Sequence, residues 1–134
     1  MKYQKIIKYK YRLYQECFFH IPIYLDIDHE LFSLHNGVLR VNEGYMWDGV
    51  SGPTWDSKNT MLGGLLHDVL YQMIRLELIP LKYKTTADML FKEELRKSGM
   101  SSFRAWYYYE AVDKFGASSC VPGDVKIPEV LVLN

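Results

Sequence analysis

Hydrophobic and polar positions alternate with period two in the first third of the chain and recur at helical spacing from residue 57 onward. Residues 6–14 place Ile7, Tyr9, Tyr11 and Leu13 on one side and Lys8, Lys10 and Arg12 on the other, which predicts a half-exposed strand. Residues 17–23 predict a second strand, ended near Pro22. Two further apolar runs, 31–34 and 38–41, flank His35, Asn36 and Gly37. Asn-Gly supplies the positive φ angles of a type I′ turn, so this stretch reads as a hairpin. A loop over 44–56 follows, punctuated by Gly44, Gly49, Gly52 and Pro53.

Three helices come next. The first starts near Ser57 or Asn59 and ends around 75–78, before Pro80; residues 61–78 are so rich in Leu, Met, Ile and Val that it reads as buried. The second runs over 85–97 and stops at Gly99, a natural C′ residue. The third begins at Ser101 or Ser102 and ends at Gly116. Strands first and helices second argue an α+β fold, with N-terminal antiparallel strands and a hairpin packed on a three-helix core. The expected organisation is a single domain over 1–134: strands over 1–43, a glycine-rich loop over 44–56, helices over 57–116 and an extended tail over 117–134.

Composition narrows the function classes. Sixteen basic and sixteen acidic residues give a formal charge of zero, so no global field draws the protein to nucleic acid. An apolar fraction of 49% argues for a packed core and against disorder. Cys17 and Cys120 lie far apart without metal-type spacing and read as reduced thiols. The N-terminus alternates Lys and Tyr rather than forming an apolar segment, so no signal peptide is expected and synthesis is placed in the cytoplasm. The apolar helix carries His67, Asp68 and Arg75, which makes it a poor transmembrane segment.

The candidate chemistry centres on His67 and Asp68, adjacent ionisable groups in an otherwise apolar helix. Neighbouring helix positions point about 100° apart, so each needs its own partner: the arrangement suits a base on one side and a cation ligand on the other. Tyr71 shares the His67 face at i+4. Gly63 and Gly64 lie one turn earlier and leave room for a ligand or for another backbone; the bland alternative is a structural histidine in close helix packing. The loop over 44–53, with Asp48 and Gly49, offers oxygen ligands of the kind Ca²⁺ prefers, or is simply a tight turn over Trp47. Asp88 reads either as the N3 partner of a Thr85 capping box or, sharing a face with Phe91 and Leu95, as a buried carboxylate that fixes the His67 ring. A Ser51, His67, Asp88 triad is a weaker reading because no nucleophile-elbow pattern surrounds Ser51. A tandem histidine-aspartate phosphohydrolase fails, since His20, His29 and His35 all lie in the strand region.

Four segments carry a resemblance. Gly44-Tyr45 with Asp48-Gly49-Val50-Ser51, then His67-Asp68-Val69-Leu70-Tyr71, Ala87-Asp88-Met89-Leu90-Phe91, and finally Tyr109-Glu110-Ala111-Val112 with Phe115-Gly116, resemble an uncharacterised family of phage and prophage proteins of unknown function. Gly52 before Pro53 and the following Trp55 depart from that pattern. More distantly, the loop, the H-D-x-x-Y helix and the D-x-x-F helix resemble bacterial and fungal phospholipases A₂. That resemblance implies His67 as general base, Asp88 as its orienting group, Tyr71 as a hydrogen-bond donor to Asp88, and Ca²⁺ held by Asp68 with Asp48 and Gly49. It also implies a lipid or other ester as substrate. Against it, Gly and Leu stand where those enzymes carry disulfides beside the helix.

The competing expectation is a non-catalytic phage protein, in the bacterial cytoplasm or on the virion, that binds a host or virion protein. The His and Asp residues would then form a structural network. The run Trp106-Tyr107-Tyr108-Tyr109 cannot be buried on every side and offers a contact patch. The Lys8, Lys10, Arg12 stripe suits an anionic surface or, more simply, solvent.

Overall fold

The computed structural model describes residues 3–5, 11–47 and 60–122. The described residues fall into two compact units, one over those up to Trp47 and the other over 60–122. The architecture is α+β, with antiparallel strands first and three α-helices after them.

The strand unit contains β1 (Tyr3–Lys5), β2 (Tyr11–Leu13), β3 (Cys17–His20), β4 (Ile27–Asp28), β5 (Phe32–His35), β6 (Val38–Val41) and β7 (Met46–Trp47). They form two antiparallel sheets, ordered β1-β2-β7 and β3-β6-β5-β4. Lys5 faces Tyr11 and Tyr3 faces Leu13, so the described part of the strand expected over 6–14 includes β2, which pairs with the segment before it. Its alternation survives there, with Tyr11 and Leu13 buried and Arg12 between them half-buried. Residues 6–10 lie outside the described residues, and with them Ile7, Tyr9 and two cations of the proposed stripe. β7 falls inside the stretch expected to be loop. Tyr11 pairs with Trp47 across the ladder, ring centroids 5.6 Å apart, and such cross-strand aromatic pairs stabilise short strands that propensity alone misses.

The expected hairpin is β5 and β6. Asn36 and Gly37 take φ of 51° and 75°, the left-handed angles a type I′ turn requires. The register sets His35 opposite Val38 and Phe32 opposite Val41, which turns Phe32, Leu34, Leu39 and Val41 into the core. A Cβ at Gly37 would also lie 2.8 Å from the Ile21 carbonyl oxygen, so glycine is required there twice over.

The helical unit is built on α1 (Met61–Arg75), α2 (Lys84–Lys97) and α3 (Ser102–Phe115). Every α1 residue except Leu62 and Asp68 is buried, as an all-round apolar helix must be. Thr60 is its N-cap position; the start expected at Ser57 or Asn59 lies outside the described residues. A 3₁₀ turn, Leu81–Tyr83, leads straight into α2, so the helix begins at Lys84 and no side chain caps it. The Thr85 capping box is therefore not formed, and Asp88 sits one turn inside the helix. α2 closes as expected: Gly99 is left-handed at φ 98°, its N–H donates to the Arg96 carbonyl, and the Met100 N–H donates to Leu95. Ser101 caps α3 by accepting the Arg104 N–H at 3.2 Å.

Phe91, Leu95, Met100, Ala105, Tyr108 and Val112 form the core between α2 and α3. The extended tail expected from residue 117 begins instead as a 3₁₀ turn, Ala117–Cys120, pinned when Arg75 Nη1 donates to the Ser119 carbonyl at 2.9 Å. Cys17 and Cys120 are free thiols. Among the described residues, no helix is long and apolar enough to cross a membrane.

Candidate functional site

Asp88, Phe91 and Leu95 share one face of α2, and all three are buried. α1 admits that face through Gly63: a Cβ there would lie 3.2 Å from Leu95 Cδ2 and 3.3 Å from Phe91 Cδ1. The space expected beside His67 at Gly63 is thus filled by helix packing. The ring of His67 lies against Tyr71 (centroids 3.9 Å apart) and Phe91 (4.9 Å), which fixes its plane.

Asp88 is the hub. Its Oδ1 accepts from His67 Nε2 at 2.7 Å and from the Tyr71 hydroxyl at 2.6 Å, and its Oδ2 accepts from Lys84 Nζ at 2.8 Å. Burial alone would push the Asp88 carboxyl up, but the hydrogen bonds from His67, Lys84 and Tyr71 outweigh it and hold the group below the ordinary carboxylate range. Asp88 is therefore an anion at neutral pH and only accepts. A carboxylate has no proton to give, so the hydrogen on His67 must sit on Nε2; in the neutral ring the lone pair is then left on Nδ1. Nδ1 makes no hydrogen bond among the described residues. Burial, then the bond to Asp88, pushes the Tyr71 phenol far up, so it remains a donor.

Lys84 is the member that pattern reading missed. It lies at i−4 from Asp88, the spacing of a helical ion pair, so a signal was present in the sequence. Its ammonium group also donates to the carbonyls of Asp113 at 3.3 Å and Val112 at 3.5 Å, in the last turn of α3. Gly116 follows that turn, and a Cβ there would collide with the Tyr71 hydroxyl and lie 2.9 Å from Tyr71 Cε2. Cys120, buried close by, has its thiol pushed up to about 11 by burial, so it is no thiolate nucleophile at neutral pH.

The remaining candidates divide cleanly. Asp68 is half-buried, one position along α1 from His67. Asp48, Gly49 and Ser51 lie outside the described residues. Among the described residues, no group of three or more His, Cys, Asp or Glu side chains could hold a metal. Asp68 is thus the one assigned calcium ligand the structure describes, a hard carboxylate oxygen of the kind the ion takes.

A second histidine-carboxylate cluster, which the motifs did not suggest, lies in the strand unit. His35 Nε2 is 2.8 Å from Asp28 Oδ1 and its Nδ1 is 3.0 Å from Asp26 Oδ1, with both carboxylates exposed. Those hydrogen bonds, to Asp28 first and Asp26 second, raise the imidazolium above the ordinary histidine value.

Comparison of the chain with protein-family models, curated proteins and solved structures finds no match.

Proposed function

We propose that this is a phage-derived protein with a phospholipase A₂-like histidine-aspartate centre, an ester hydrolase in which His67 is the general base. The single observation that carries the reading is the His67 Nε2–Asp88 Oδ1 bond of 2.7 Å on an ionised carboxylate, which leaves the basic lone pair on Nδ1. Nδ1 takes a proton from water as the water oxygen attacks the ester carbonyl carbon. The tetrahedral adduct then collapses, the ester C–O bond breaks, and the leaving alkoxide recovers the proton from His67. Asp88 orients the ring and stabilises the imidazolium without itself becoming protonated, while Tyr71 and Lys84 keep it in place. Asp68 would hold a calcium ion, which supplies Lewis-acid polarisation of the ester carbonyl when bound.

Phage origin is supported by the order and spacing of the four motif segments, and the bacterial cytoplasm is the corresponding location. The test for calcium is a calorimetric titration of the wild type and Asp68→Asn. Binding at or below millimolar calcium that is lost in the variant supports the metal assignment; no binding to either protein removes it.

A second reading has its own observation. Phe103, Trp106 and Tyr107 stand on the solvent side of α3, 73%, 47% and 40% exposed, and aromatic surface of this kind suits a protein partner. In that reading the protein binds a host or virion component and the Asp88 hub only holds α1 to α2. A wild type inactive on phospholipid with calcium present, together with specific capture of a partner that Trp106→Glu abolishes, favours it.

A further inference from the structure

The last turn of α3 contributes no side chain to the Asp88 hub, yet it touches both groups that hold Asp88 besides His67. Lys84 Nζ reaches Asp88 Oδ2 at 2.8 Å while donating to the Asp113 and Val112 carbonyls, and its side chain is only 16% exposed. Carbonyls in the last turn of a helix carry the negative end of the dipole, so they are a natural seat for an ammonium group, although the Val112 carbonyl also accepts the Gly116 N–H at 2.8 Å. Tyr71, the other donor, reaches Asp88 Oδ1 past Gly116, in space that any larger residue would occupy. The ending Ala111-Val112…Phe115-Gly116, to which the hydrolase reading gives no role, thus lies against both.

We infer that the C-terminal turn of α3 is the positioning element of this centre, seating Lys84 on Asp88 through its last carbonyls and making room for Tyr71 through Gly116. Lys84, Tyr71 and Gly116 are positioning residues: Lys84 and Tyr71 act on Asp88, Gly116 acts on Tyr71, and Asp88 acts on His67. The ionisable groups that act on Asp88 are His67 and Tyr71 from α1 and Lys84 from its own helix; Asp113 of α3 lies 4.0 Å from Lys84, and Cys120 stands in the 3₁₀ turn. Of these, Lys84 is the one ammonium group, in direct contact with the Asp88 carboxylate. An opposite charge in direct contact moves a carboxylate by about 1–3 pH units, which sets the size of effect to look for.

This inference rests on the general-base reading for its purpose, but its test reads the protein alone, without lipid or calcium, so the two fail separately. The experiment follows the Asp88 side-chain carboxyl carbon by NMR across pH in the full chain, and the Tyr71 hydroxyl proton at neutral pH. In the wild type, Asp88 titrates below an ordinary carboxylate and the Tyr71 hydroxyl proton is protected from exchange. Lys84→Met raises the Asp88 midpoint by about 1–3 pH units, and Lys84→Arg restores most of the difference. Gly116→Ala removes the protected hydroxyl signal. Should Lys84→Met not fold, Lys84→Gln and the wild-type midpoint carry the same test. A lysine serving only to tie helices together would lower the melting temperature of its variants and leave the Asp88 midpoint in place. That outcome, or a wild-type Asp88 titrating as an ordinary aspartate, overturns the inference.

Discussion

His35 and His67 each hold an aspartate at hydrogen-bond distance, 2.8 Å and 2.7 Å, and the two clusters store opposite things. At His35 both ring nitrogens face carboxylates in solvent, one base to two acids, so the arrangement favours a protonated, positively charged ring. At His67 the ratio is reversed: three donors share one buried carboxylate, so the negative charge rests on Asp88 and the ring is held by a single bond. The chemistry of the pair is the same in both. Burial and the count of partners decide whether the histidine or the carboxylate is the hub of the cluster.

The largest expected contrast comes from deleting one acid from each cluster. Asp88→Ala strands Lys84, Tyr71 and His67 around an empty buried position, and breaking a buried pair from one side costs about 3–5 kcal/mol. Asp28→Ala, on a residue whose side chain is 84% exposed, should leave the urea midpoint at pH 8 unmoved. Comparable losses in both would mean that the His35 cluster is as structural as the buried one.

Replacing each histidine comes next. His67→Gln removes a buried hydrogen bond and should cost about 1–3 kcal/mol by urea unfolding, while His35→Gln should be silent at pH 8. Because His67 is buried, a loss of stability in its variant does not argue against catalysis; only the chemistry can.

The pH dependence should run in opposite directions. Asp88 has a lowered folded value, so its contribution is complete above the ordinary carboxylate value of 3.8 and disappears as pH falls through the lower folded value. His35 has a raised one, so its contribution is complete below 6.5 and disappears as pH rises through the raised value. A urea-midpoint series should therefore show an acid decline lost in Asp88→Asn. A far smaller decline, as pH rises through the raised His35 value, should be lost in His35→Gln.

Salt makes the finest distinction. Raising ionic strength from about 0.01 M to 1 M shortens screening from roughly 30 Å to 3 Å, which should pull the His35 midpoint back toward 6.5 and leave that of Asp88 in place. NMR titration at the two salt concentrations reads both. Equal responses would show the Asp88 hub to be open to solvent.

How far the chain announces these features depends on the range of the interactions behind them. Asn36-Gly37 and Ser98-Gly99 act within four residues, so the hairpin and the end of α2 are readable from the sequence. β7 is not, because its existence depends on Trp47 finding Tyr11 thirty-six positions earlier. The face shared by Asp88, Phe91 and Leu95 indicates a buried Asp88, but the same residues also spell a capping box. The choice between them is made by the 3₁₀ turn at Leu81–Tyr83, which starts the helix one residue early. Lys84 and Gly116 escape notice for a different reason. Lys84 shows only the i,i+4 spacing of an ordinary surface ion pair, its seat on backbone carbonyls leaving no pattern, and Gly116 works through the side chain it lacks.

The central claim, that His67 Nδ1 removes a proton from water, is tested most directly by hydrolysis of dihexanoyl phosphatidylcholine in millimolar calcium. The wild type and His67→Gln are compared at a temperature where both are folded. A general base contributes about 10²–10⁴-fold, so the wild type should release fatty acid and the variant should fall by that factor. A folded wild type that releases none, or a variant that hydrolyses as fast as the wild type, would contradict it.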